Sequence, residues 1–240
     1  MKPAAFSLVL LVAAATPWAQ PELLPPRFSI AHPGAPPAGW QTVMLAPTKQ
    51  ATDYSLVVDD GVVVLKANSH NAASFLAWKT DYDSRVYPLL SWRWKVTQPI
   101  PGADTRDRRR EDSPARVMVS FAGNPATLVA SDRAAAALAE AISGRPLPYS
   151  VLMYVWGAKV APESITVSAL TTRIRMIAVA VDDQGVGRWH DYRRNLHEDF
   201  RRAFAEEPGR VTAIELMTDT DNTGGLAEAY YGDVSVLPGP

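Results

Sequence analysis

The sequence predicts a single antiparallel β-sandwich of jelly-roll type, with two short helices placed in its loops. Three observations predict it. Short runs rich in Val, Ile, Thr, Tyr, Phe and Trp recur between Gly, Pro, Asn and Asp turn signals. Only two segments carry helical periodicity. Strands and helices do not alternate in the βαβ manner, which argues against a doubly wound sheet. No internal repeat and no long linker divides the pattern, so residues 40–240 read as one domain.

Each element has its own signal. Residues 1–19 read as an export signal: Lys2 supplies the positive end, residues 4–15 the apolar core, and Ala19 the cleavage position before Gln20. An apolar core of about a dozen residues is too short to span a bilayer. Residues 20–39 form a proline-rich lead-in, with one short strand expected over 28–30. A strand follows over 40–45. The runs 54–58 and 62–66 flank Asp59-Asp60-Gly61, a strong hairpin signal. Residues 72–78 read as the next strand. The run 89–96, LLSWRWKV, is the clearest: Trp92, Trp94 and Val96 share one face, and Ser91, Arg93 and Lys95 the other. Residues 98–113 are a loop of mixed charge, followed by a strand over 116–121. A helix is expected over 131–143, capped by Ser131, rich in alanine and ended by Gly144 and Pro146. Strands are expected over 149–156 and 173–181. A second helix covers 195–204, where Asn195 and Glu198 form a capping box and Leu196, Phe200 and Phe204 share a face. Strands over 211–217 and 230–237 complete the set.

Composition sets the class. Hydrophobic residues make up 47% of the chain, enough for a core. There is no cysteine, which excludes a lipoprotein anchor, disulfides and thiolate metal sites. Lys plus Arg number 24 against 25 Asp plus Glu, so the chain carries no electrostatic footprint for nucleic acid. The same balance argues against a general membrane-surface role. After signal cleavage, no segment is apolar enough for membrane insertion. The expected location is periplasmic or secreted.

The motifs of several enzyme classes are missing: G-x-S-x-G, H-E-x-x-H, G-x-G-x-x-G and the phosphate-binding loop. The histidines His32, His70, His190 and His197 have no zinc-ligand spacing. The turn holding Asp219, Asp221 and Asn222, followed by Gly224-Gly225, is read as a self-capped Asx turn, as part of a structural calcium site, or as a direct ligand contact. No other cofactor is expected. Trp92 and Trp94 are read as core. Tyr154 and Trp156 repeat that spacing on a second strand, and stacked rings of this kind suit a sugar. Arg93, Arg116, Arg173 and Arg175, together with Glu215, gather on a polar sheet face if their strands are neighbours. Arginine's planar fork would then recognise a small anion or an acidic sugar. The competing reading is a solvated face crossed by ion pairs.

Four stretches, SWRWKV, ARVMVSF, YVWGAK and the RN…DF, MTDTDNTG and YYGDV set, resemble a bacterial family known as domain of unknown function 3047. The resemblance covers residues 28–237. It implies an exported jelly roll of galactose-binding-like type, similar to carbohydrate-binding modules, with no established activity. The family-typical positions it marks are Trp92, Trp94, Arg116, Tyr154, Trp156, Asn195, Asp219, Asp221, Asn222 and Asp233. The chain departs from the pattern in its alanine-rich helix over 131–143, where the resemblance implies only a loop. The expected function is a non-catalytic binding domain for a carbohydrate or small anion. The alternatives are a glycan-acting envelope enzyme using carboxylates from Glu215, Asp219, Asp221 and Asp233, and an accessory protein-interaction domain with an apolar patch near Trp156 or Trp189.

Overall fold

The computed structural model describes residues 25–239. The expected export signal and the first residues of the proline-rich lead-in lie outside them. The chain forms the expected β-sandwich of jelly-roll type. In order, the strands are β1 (Trp40–Met44), β2 (Asp53–Asp59), β3 (Val62–His70), β4 (Ser74–Tyr82), β5 (Leu89–Val96) and β6 (Arg116–Phe121). Helix α1 (Ala130–Ser143) precedes β7 (Ser150–Gly157), β8 (Ile165–Val167), β9 (Ile174–Val181) and β10 (His190–Asn195). Helix α2 (Leu196–Phe204), β11 (Val211–Met217), β12 (Leu226–Tyr231) and β13 (Ser235–Leu237) close the chain.

A seven-stranded sheet runs β1-β4-β11-β6-β7-β9-β8, and a six-stranded sheet holds β10-β5-β12-β3-β2 with β13 also on β5. Pairing is antiparallel throughout the named strands except between β7 and β9, which run parallel. The inner faces share one aromatic core. Trp92 lies 4.9 Å from Tyr154 and 5.0 Å from Tyr192, ring centre to ring centre. Helix α2 plugs the core edge, with Phe200 packed 4.5 Å from Phe121. Asn195 caps that helix as its sequence predicts, its side-chain oxygen accepting from the Glu198 N–H.

The hairpin between β2 and β3 turns on Asp60 and Gly61, with φ of 50° and 78°. These are the two left-handed positions that a type I′ turn needs. Other expectations shift. Residues 28–30 form a bend and no strand, because the N–H groups of Phe28 and Ser29 donate to the Asp233 carboxylate and not to a ladder. The expected strand over 230–237 splits into β12 and β13, with Gly232, Asp233 and Val234 between them outside any strand. Ser131 does not cap α1; the helix starts one residue earlier, with Val129 at the cap and no side-chain bond. Strands β8 and β10 carry no clear signal. The first has only three residues, and the second, HDYRRN, is a polar edge strand paired to β5 alone.

Candidate functional site

The outer face of the seven-stranded sheet carries a lattice fixed by strand register. One row crosses β4, β11, β6, β7 and β9 through Ala77, Glu215, Met118, Met153 and Met176. The next row toward the acidic turn is Phe75, Met217, Arg116, Val155 and Ala178. Residues of both rows line a cleft of about 290 Å³, walled above by Leu147, Pro148 and Leu170. A second hollow of about 370 Å³ adjoins it beneath α1 and shares Leu45, Phe75 and Glu215. Helix α1 overhangs this hollow without packing down. Asp132 is its one buried residue among those described, and Leu138 and Ile142 stay 55% and 54% exposed. The anchor is Asp132 itself, which accepts from the Thr171 hydroxyl at 2.7 Å and the Thr172 N–H at 2.9 Å.

The sequence offers a signal for this cleft that motif reading passes over. Strands β6 (RVMVSF), β7 (SVLMYVWG), β9 (IRMIAVAV) and β11 (VTAIELM) are apolar at both parities. Runs of that kind are covered on both faces. One face is the sandwich core, and the other is the cleft floor.

The site residues expected from the sequence do not gather on one face. Arg116 and Glu215 line the cleft. Tyr154 lies in the core at 0% exposure, its hydroxyl donating to Asp199 at 3.0 Å. Arg173 and Arg175 turn to Phe204 of α2, with guanidinium carbons 5.2 and 5.5 Å from its ring centre. Arg93 sits on the other sheet, 4.0 Å over the Trp189 ring. That outer face is crossed by ion pairs: Lys95 to Asp59 at 2.6 Å and Lys66 to Glu228 at 2.7 Å. At the two positions where an exposed apolar patch would favour a protein-interaction role, Trp156 is buried and Trp189 lies under Arg93.

At one end of the cleft Arg116 and Asp219 form a buried bidentate pair, Nε to Oδ1 at 2.9 Å and Nη2 to Oδ2 at 3.0 Å. Nη2 also donates to the Glu111 carbonyl. Burial opposes the Arg116 charge, yet Asp219 and Glu111 more than offset it and raise its pKa. Burial pulls the Asp219 carboxyl toward protonation, and Asp112 and Asp221 add to that pull. The fixed charge and two-bond geometry of the guanidinium decide for the ionic pair.

The carboxylates of Asp112, Asp219 and Asp221 offer oxygens within 4.8 Å of one another, close enough to hold a cation. Asp112, absent from the sequence reading, completes the group. All three are already engaged. Asp112 accepts from the N–H groups of Asn222 and Thr223 at 3.1 and 2.7 Å. Asp221 pairs with Lys49, and Asp219 with Arg116. Asn222 contributes its backbone N–H here. Calcium seeks about six to eight oxygens, so an ion would have to displace both cations.

Glu215 is a further buried carboxyl lining the cleft. It is 6% exposed; Oε1 accepts from the Ser120 hydroxyl at 2.8 Å, and Oε2 has no hydrogen-bond partner. Burial pushes its carboxyl up to about 7.

Two outcomes follow from these contacts. Arg116→Met or Asp219→Leu alone should cost about 3–5 kcal/mol, because each strands a buried charge, whereas the double variant should recover much of that loss. Urea denaturation of all four proteins in a double-mutant cycle measures it. For Glu215, the folded pKa lies above the unfolded value, so the native state holds the proton longer. Its contribution to stability is present at pH 4 and is lost as pH rises through about 7. Glu215→Gln should therefore match wild type at pH 4 and exceed it at pH 8, by on the order of 3 kcal/mol at most. Equal stabilities at both pH values would contradict this.

Among the described residues no helix is long and apolar enough to cross a membrane. No curated protein matches the sequence. Solved structures similar in fold include a family 30 carbohydrate-binding module of a cellulosomal cellulase of Clostridium thermocellum. It is 8% identical, with a TM-score of 0.42 over 88% of this chain and 96% of that one. The xyloglucanase domain of a type three effector from Sinorhizobium fredii is 7% identical, with a TM-score of 0.45 over 86% and 97%. An adhesin domain of Lys-gingipain from Porphyromonas gingivalis is 11% identical, with a TM-score of 0.40 over 89% and 96%. None of these likenesses bears on what this chain binds. Residues 38–235 match the family described as "Protein of unknown function (DUF3047)", and the chain belongs to that family.

Proposed function

We propose that this chain is an exported, non-catalytic binding domain whose ligand is a small, largely apolar molecule held in the cleft of the seven-stranded sheet. Export rests on the signal read in residues 1–19 and places the domain in the periplasm or outside the cell. The binding reading rests on one observation. The outer face of the central strands is built from Met118, Met153, Met176, Met217, Phe75 and Ile174; Met118, Met176 and Met217 are themselves buried, and a cleft of about 290 Å³ remains open over the group. An apolar concave face with few polar groups is the usual form of a small-molecule site. Thioether side chains adapt to ligands of varied shape.

A sugar or a simple anion suits this surface less well. A pyranose packs on aromatic rings, and among the described residues Phe75 is the one aromatic lining the cleft of about 290 Å³. The charge of Arg116 is taken up by Asp219. Of the four carboxylates considered for a glycan-acting enzyme, three are engaged, Asp219 with Arg116, Asp221 with Lys49 and Asp233 with the lead-in backbone, and Glu215 alone keeps a free oxygen.

The test uses diphenylhexatriene, a hydrocarbon fluorophore without a polar head. It should bind the native protein and gain fluorescence. Met153→Trp, which fills the cleft from a half-buried position, should weaken that binding at least tenfold while the protein stays folded. Neutral and acidic oligosaccharides should leave the melting temperature unchanged. Stabilisation by an oligosaccharide, with no uptake of the hydrocarbon, would overturn the reading.

A further inference from the structure

The cleft contains two polar fittings that its own chain leaves incomplete. The first is Glu215 Oε2, buried and without a partner. The second is Arg116 Nη1. The other guanidinium nitrogens bond to oxygens, but Nη1 meets only two thioethers, Met153 Sδ at 3.9 Å and Met176 Sδ at 3.8 Å. Sulfur is a weak acceptor, so a buried charged donor is poorly satisfied there. The two fittings are neighbours in the lattice. Glu215 pairs in register with Met118, and Arg116 with Met217, one step along the same two strands. Both side chains line the same cleft, Arg116 at the end nearest the acidic turn and Glu215 one row further along the sheet.

We propose that the ligand of this cleft is an apolar molecule carrying a hydroxyl group, bound with that hydroxyl between Arg116 and Glu215. This rests on the reading of the cleft as an apolar binding site and names the chemistry of its occupant. A hydroxyl both accepts and donates. It accepts from Arg116 Nη1 and donates to Glu215 Oε2, or accepts from Glu215 when that carboxyl is protonated. It carries no charge into a buried place where Arg116 and Asp219 already balance.

The charged alternatives each leave one fitting unmet. An ammonium head would pair with Glu215 but has nothing to accept from Arg116, and it would meet that guanidinium as a like charge. A carboxylate head would pair with Arg116 but would face Glu111, Asp219, Asp221 and Glu215 on the same cleft wall. The bases Lys79, Arg108 and Arg145 lie on the α1 side and are exposed to solvent, where water screens them. A buried group built to hydrogen-bond a ligand hydroxyl discriminates strongly against the analogue without it, because both fittings are then left unpaired.

The experiment compares three eight-carbon ligands of equal chain length on the intact protein: octan-1-ol, octylamine and octanoate. Isothermal titration reads the affinities, and diphenylhexatriene serves as the headless reference. Octan-1-ol should bind at least tenfold more tightly than either charged ligand. In Glu215→Leu, the affinity for octan-1-ol relative to diphenylhexatriene should fall at least tenfold. Tighter binding of octylamine or octanoate overturns the proposal. So does an unchanged ratio in Glu215→Leu; in both cases uptake of the hydrocarbon would leave the cleft reading standing. Failure of all four molecules to bind rejects the cleft reading itself, and the proposal with it.

Discussion

The buried ion pair of Arg116 with Asp219 is the constraint around which the rest of the structure is arranged. It joins the first residue of β6 to the acidic turn after β11. Ser113 donates its N–H to the same carboxylate, and Thr218 bonds both the Pro114 carbonyl and the Tyr231 hydroxyl. Tyr231 belongs to the opposite sheet, so the polar knot ties the two sheets at one end of the sandwich. Removing two charges from water costs several kcal/mol each, and only close geometry with added hydrogen bonds offsets it. The knot meets that condition. It also explains why a turn with three acidic or amide side chains reads like a metal loop: the oxygens of Asp219 and Asp221 serve as hydrogen-bond acceptors for the Ser113 N–H, Arg116 and Lys49.

Fixing Arg116 in this way has a consequence for the face it points to. Its charge is compensated before any ligand arrives, which leaves the cleft with apolar methionines beside the carboxyls of Glu111, Asp221 and Glu215. A sheet that is apolar on both faces normally gains helices on its second face. Here α1 hangs over that face from the Asp132 anchor, and its own apolar residues Leu138 and Ile142 remain half exposed. Apolar surface left in water is unfavourable by about 25 cal/mol per Å².

Much of the fold was legible in the sequence. The alternation of Trp92, Trp94 and Val96 against Arg93 and Lys95 gave the correct inner face, and Asn195 with Glu198 gave the true start of α2. Strand β10 was not legible, because an edge strand of polar residues gains its pairing from β5 and not from its own pattern. The Asp233 contact that prevents a strand at Phe28 spans the whole chain, beyond any local signal. The arginines suggested a single polar face because residue type was read without register. In the structure Arg93 belongs to one sheet and Arg116 to the other, and Arg173 and Arg175 turn to α2. The cleft itself was written in the unbroken apolar runs of β6, β7, β9 and β11, which are ambiguous alone and meaningful only once the strands are known to be neighbours.

The chain holds six methionines, and Met118, Met153, Met176 and Met217 line the cleft, whereas Met44 does not. That distribution gives the most direct measurement: methyl NMR of methionine-labelled protein during titration with octan-1-ol. The account predicts that the methyl signals of Met118, Met153, Met176 and Met217 shift together and saturate with one affinity, while Met44 stays in place. Binding that leaves these four signals unmoved would contradict it.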